Sequence, residues 1–256
     1  MYGCHWPLPP NVRIAMTQRH GGVSLPPFDS LNLGLHVGDD PASVQANRAL
    51  LVKRLALPSE PAWLEQVHGT EVVDLARDPL RIADGSYSDS KAHVAVVMTA
   101  DCLPVLLCDS AGTQVAALHA GWRGLCDGVI EAGIARFRPG SELIACLGPA
   151  IGKTAFEVGG EVRAAFCDKD PRADDCFVAK GDKFLGDLQG LARLRLQQAG
   201  VRQVYAWMSA PITTKTIFPT AETVVLAVWP RLFGSLIEWL FHSSDLKLVK
   251  ASPSLS

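Results

Sequence analysis

The chain carries no excess charge of either sign: 24 Lys and Arg stand against 26 Asp and Glu in 256 residues. Proteins that grip nucleic acid carry a basic patch or stripe, and a balanced chain gives no such footprint. Met1 to Pro10 has neither a basic start nor a long apolar stretch, so no secretory signal is read there. No membrane span is read either: the apolar run Val224 to Val228 is followed by Pro230, Arg231 and Glu238, far short of the length a bilayer demands. Neither a Walker loop nor a dinucleotide-binding glycine fingerprint is present. The seven cysteines lack short paired spacings, and an odd count leaves at least one unpaired. Reduced thiols in a cytoplasmic protein fit that usage.

Short elements of both kinds fill the chain. Residues 1 to 40 are rich in Gly, Pro, Ser and Asn and read as short strands and loops. Asp40-Pro41 starts a helix to about residue 56, with Asp as N-cap and Pro at the first helical position. Strands are expected around 63 to 68 and 71 to 75. His93 to Thr99, Val105 to Cys108 and Gln114 to His119 read as further strands, the first two being buried apolar runs. Leu125, Val129, Ile130, Ile134 and Phe137 fall at helical spacing, which predicts a helix over about 125 to 137. Leu143 to Leu147 is a strand. Glu161 to Cys167 and Leu185 to Ala199 are helices, the second closed by Gly200. Val201 to Trp207 is a last strand. Strands mixed with helices and no linker predict an α+β fold in one domain over 1–242. Residues 243–256 are expected to form a poorly packed tail.

Three short stretches carry the chemistry: Gln66-Val67-His68-Gly69, Asp101-Cys102-Leu103-Pro104 and His119-Ala120-Gly121-Trp122-Arg123-Gly124. One thiol and two imidazoles, each beside a glycine or a strand end, make a three-ligand set with one coordination position left open, a pattern zinc uses in catalysis. A plainer reading stands beside it. A lone Cys is often a small buried hydrophobe, and His119 could be a hydrogen-bonded group at a sheet edge. Cys102 and His119 also suit a thiol nucleophile and its base, with no metal at all. Asp101 reads as a carboxylate orienting an imidazole or as a turn residue. Arg123, at a helix start, suits an anion or a surface ion pair.

These stretches also carry a resemblance. With Gly21-Gly22-Val23-Ser24, Ser30-Leu31-Asn32-Leu33-Gly34, His36-Val37-Gly38-Asp39 and Leu147-Gly148-Pro149-Ala150-Ile151-Gly152, in that order along the chain, the sequence resembles the YfiH family, also called the laccase-domain or peptidoglycan-editing-factor family. The match runs over about residues 10–205. The resemblance implies mixed β-sheets with helices packed outside. It implies that His68, Cys102 and His119 are zinc ligands and catalytic, and that Arg19 and Asn32 lie on the substrate side; with the anion reading of Arg123, Arg123 or Arg19 would bind phosphate. It implies purine nucleoside phosphorolysis, acting on adenosine or inosine with some adenosine deamination. Three other readings attach: a copper polyphenol oxidase, a peptidoglycan-precursor editing enzyme or cysteine hydrolase, and a non-enzymatic binding module. Copper is disfavoured because a multicopper oxidase needs more imidazoles than the seven histidines here.

The end of the chain departs from the family. Members close on Cys-Thr and then Phe-Ser-Tyr-Arg-Arg-Asp-Gly-Arg-Thr-Gly-Arg-Met-Ala-Ser-Leu-Ile-Trp, whereas residues 217–234 read IFPTAETVVLAVWPRLFG. Permitted codons for this run, read two bases on, spell the family ending. A frame change near Tyr205 or Ala206 is therefore expected. It would replace an Arg-rich end with the apolar run Val224 to Val228 and an amphipathic stretch, Leu232 to Phe241, which could drive self-association.

Overall fold

Local signals set most element boundaries. In this computed structural model residues 6–17 and 19–206 are described in full, and 223–228 and 246–249 by their backbone. Strand β1 (Arg13–Thr17) leads through a loop to α1 (Pro41–Leu55). Asp40 caps that helix by accepting from Ser43 N at 2.9 Å, and Pro41 fills the first helical position, as expected. Then come β2 (Val72–Asp74), β3 (Gly85–Ser88), β4 (Ala95–Thr99), β5 (Leu103–Asp109) and β6 (Val115–Ala120). The helix expected over 125–137 is two, α2 (Trp122–Asp127) and α3 (Val129–Ile134). Gly128 splits them at φ 114°, a left-handed conformation that glycine adopts without strain. After β7 (Leu143–Leu147) follow β8 (Glu157–Val158), α4 (Gly160–Cys167), β9 (Phe177–Lys180) and β10 (Lys183–Gly186). Helix α5 (Leu188–Gln198) starts later than its apolar pattern suggested, because Leu185 belongs to β10 and Asp187 caps the helix through Gly190 N at 2.9 Å. Strand β11 (Gln203–Ala206) follows, then β12 (Thr223–Val228) and β13 (Leu246–Val249).

A six-stranded sheet, in the order β11-β7-β5-β6-β3-β2, packs on a four-stranded sheet, β13-β1-β12-β4. A small sheet, β8-β10-β9, is hydrogen-bonded to neither, though its Val158 and Phe177 join the core on the helix side of the six-stranded sheet. Period-two alternation explains why β4 and β5 read as unbroken apolar runs: both faces are covered. Leu103, Val105 and Leu107 of β5 face the helices, while Leu106 and Cys108 face the other sheet. Along β4, Ala95 and Val97 pack between the sheets, and Val96 and Met98 pack with Leu51 of α1. The result is α+β with helices outside mixed sheets.

Two expectations need correction. Residues 63–68 are a loop with a single bridge, Glu65 to Ile82, because the N–H groups of Val67 and His68 go to a carboxylate instead of a ladder. Strand β3 has no sequence signal, since Gly-Ser-Tyr-Ser lacks an apolar pattern, yet all four residues are buried. Val224 to Val228 lies within β12, which pairs with β1 on one side and β4 on the other. In the tail, β13 pairs with β1. The stretch Leu232 to Phe241 lies outside the described residues, as does 250–256.

Candidate metal centre

Strand register gathers the site. Leu103 of β5 faces Ala120 of β6, so Cys102, one residue earlier, lies at the sheet end where His119 and Gly121 lie. Gly85 of β3 faces Leu118 of β6, which brings Asp84 beside His119; His119 N donates to Asp84 O at 2.7 Å. Strands β2 and β3 run parallel with Val72 opposite Gly85, so the turn before β2 delivers His68 to the same end. Gln66 holds that loop in place. Its side-chain amide donates to Met98 O and accepts from Met98 N, both at 2.8 Å, as a strand neighbour would.

The three predicted donors therefore converge. Cys102 Sγ is 3.9 Å from His68 Nε2, and all three donor atoms lie within 4.8 Å of one another. Metal bonds of about 2.0–2.3 Å put donors bound to one ion within about 4 Å of each other, so the donors would draw together on an ion. The imidazole planes cross at 74°, with centroids 4.8 Å apart. Exposure is graded: His68 is exposed, Cys102 half-buried and His119 buried.

Gly121 makes room between them. A Cβ there would stand 2.9 Å from His68 Cδ2, 3.0 Å from Cys102 Sγ and 3.7 Å from His119 Cε1. The space is thus bordered by all three ligand side chains, and a thiol with two imidazoles is a donor set suited to zinc or copper. The residues present fit such an ion.

The orienting carboxylate is Asp84, not Asp101. Asp84 is fully buried, and its Oδ1 accepts from His119 Nδ1 at 2.8 Å. That bond keeps a proton on Nδ1, so an ion would be taken by Nε2 once that nitrogen has lost its own proton. Burial alone would raise the Asp84 pKa, but His119 and the N–H groups of Gly69 and Val67 hold it below the ordinary carboxylate value. Asp101 instead binds through its backbone, its carbonyl accepting from Ile151 N at 2.9 Å, and partial desolvation raises its carboxyl pKa. The only sequence signal for Asp84 is an acid between Ala83 and Gly85, which points nowhere by itself.

His68 sits at φ 60°, a left-handed conformation uncommon outside glycine. Desolvation, then the charge of His119, lowers its pKa; Asp84 opposes the shift and Arg123 adds to it. Arg123 is thus electrostatically within reach of the cluster. It lies exposed in the first turn of α2, its guanidinium carbon 4.5 Å from the Trp122 ring centroid. Arg19 turns onto its own loop, Nε donating to Asp29 O at 2.7 Å and Nη2 to Pro27 O at 3.2 Å. Asn32 is fully buried: Nδ2 donates to Gly34 O and Asp39 Oδ2, and Oδ1 accepts from Gly34 N. The structure brings His68, Cys102 and His119 together with Arg123 nearby, while the amide of Asn32 is spent within its loop.

For His119, burial opposes the charged ring. The hydrogen bond to Asp84 and the Cys102 sulfur outweigh it and push the pKa up to about 9. In the ion-free protein this pairing stabilises the fold fully below the unfolded value of 6.5, and the contribution is lost as pH rises through about 9. An ion must displace the Nε2 proton. Zinc affinity is therefore expected to fall as pH drops below about 9, with a proton released on binding. Calorimetry in buffers of different ionisation heat would count it. An affinity independent of pH across that range would contradict the assignment.

Fold and site together define a class: a mixed-sheet α+β domain with a Cys/His cluster suited to one ion at a sheet end. The chain belongs to the YfiH family, whose sequence model, described as multi-copper polyphenol oxidoreductase laccase, matches residues 13–217. The purine nucleoside phosphorylase YfiH of Escherichia coli K12 is 54% identical over 203 residues, covering 78% of this chain and 84% of the relative. The purine nucleoside phosphorylase PA4543 of Pseudomonas aeruginosa is 52% identical over 205 residues, covering 78% and 83%. Among solved structures, Neisseria meningitidis protein NMB0706 superimposes with a TM-score of 0.82 at 42% identity, covering 90% of this chain and 99% of its own. The YfiH protein of Bacillus licheniformis does so at 0.78 and 25%, covering 86% and 93%. No described helix is long and apolar enough to cross a membrane.

Proposed function

We propose that this chain is a zinc-dependent purine nucleoside phosphorylase of the cytoplasm, acting on adenosine and inosine with phosphate. The observation that carries the reading is the convergence of His68, Cys102 and His119 around the space kept by Gly121. Relatives named purine nucleoside phosphorylase share more than half their residues with it over most of its length. When bound, zinc supplies Lewis-acid charge to the reacting oxygen. The protein's own part is to hold the donors in fixed tautomers and to offer Arg123 or Arg19 to the phosphate. Adenosine deamination is a side activity of the same site.

Zinc is favoured over a set of coppers because the described residues gather only one three-donor group of this kind. A second reading rests on the hydrogen bond from His119 to Asp84. A thiol, an imidazole and a buried carboxylate in series are also the parts of a cysteine hydrolase, and peptidoglycan-precursor editing could use them. Metal analysis of the purified protein, joined to chromatography of adenosine and inosine incubated with and without phosphate, separates the two. The expected result is about one zinc per chain and release of adenine or hypoxanthine only with phosphate. No metal and no phosphate-dependent product would overturn the proposal.

A further inference from the structure

We infer that Asp84 is the positioning residue of this centre: one carboxylate sets both histidine donors, His119 through its ring and His68 through its backbone turn. The inference rests on the reading that the three donors hold an ion. Oδ1 accepts from His119 Nδ1 at 2.8 Å and from His68 N at 2.9 Å. Oδ2 accepts from Gly69 N at 2.6 Å and Val67 N at 3.1 Å. Three successive N–H groups thus converge on one anion, and that convergence supports the left-handed backbone of His68. The backbone of Asp84 is tied as well, its N–H donating to Glu71 O at 3.0 Å and its carbonyl accepting from His119 N at 2.7 Å. The carboxylate is therefore fixed to the sheet, and both histidines are fixed to the carboxylate.

An amide cannot do the same. Asn at this position has one acceptor oxygen and an NH2 group. If the oxygen serves His119, the NH2 faces the N–H groups of Gly69 and Val67, and the His68 turn loosens. If it serves the turn, His119 loses its partner.

The test is zinc affinity by competition with a chromophoric chelator, in D84N, H68A, H119A and the two double variants. D84N should weaken binding by about 10- to 100-fold, as loss of a ligand's hydrogen-bonded partner does. The further loss caused by D84N should shrink to a few-fold in either histidine-deleted background, because one of the two coupled donors is already gone. Wild-type binding with an unaffected D84N overturns the inference alone, as do equal losses in every background. A wild-type protein that takes no zinc overturns the metal reading and the inference with it. Should D84N fail to fold by circular dichroism, D84E keeps the charge and displaces it; a folded D84E with wild-type affinity also overturns the inference.

Discussion

Replacing Cys102 with Ala removes bound zinc and lowers phosphorolysis by about a thousandfold or more. The size follows from the several kcal/mol of charge stabilisation that a metal contributes to a transition state, where each 1.36 kcal/mol is tenfold in rate. Cys102 is the only sulfur in the cluster, and the two imidazoles come from a solvent-exposed turn and a buried strand end. Elemental analysis and product chromatography on the same preparation check the outcome. If C102A keeps its metal and loses activity, the thiol acts as a nucleophile and the hydrolase reading wins. If C102A keeps turnover, neither reading survives.

Restoring the family's reading frame from near Tyr205 raises turnover, by roughly 10- to 100-fold. Hydrogen bonds to charged groups contribute about 1.5–3 kcal/mol each, and the family ending supplies arginines that this chain lacks. Topology makes the site's end of the protein the relevant one. Strand β12 opens with Thr223 opposite Thr99, and Thr99 precedes Cys102 by a short loop. The first residue of β12 therefore lies beside the end of β4, a short loop before Cys102. Sequencing the gene decides the origin: natural codons unable to encode the family ending in another frame would refute the shift. A restored protein with unchanged turnover would refute its functional cost.

The residues alone leave Cys102 and His119 evenly balanced between ligand and structural roles and His68 closer to a structural one; the family resemblance is what singles out all three. Asp40-Pro41 was legible because capping is local. Asp84 was not, since its partner His119 lies 35 residues away and only the pairing of β3 with β6 joins them. The same holds for the loop at 63–68. Its apolar residues suggest a strand, but a buried acid from a distant segment draws its N–H groups away. Arg19 and Asn32 match the family's pattern, but the contacts that hold each of them are not displayed by a motif. Asn32 matches the pattern, yet its hydrogen bonds build the loop before α1.

The graded exposure of the donors assigns kinetics and depth to different residues. A chelator reaches an ion first past His68, which is exposed and stands on a turn. It meets His119 last, behind the sheet end and locked to a buried carboxylate. An ion held here would exchange past His68 first, whose turn opens only as its three N–H groups leave the Asp84 carboxylate. Whether an ion that has lost that contact stays or leaves is governed at His119. Substitutions around the turn should change the lifetime of the loaded protein, while those beneath His119 should change how much of it is loaded at all.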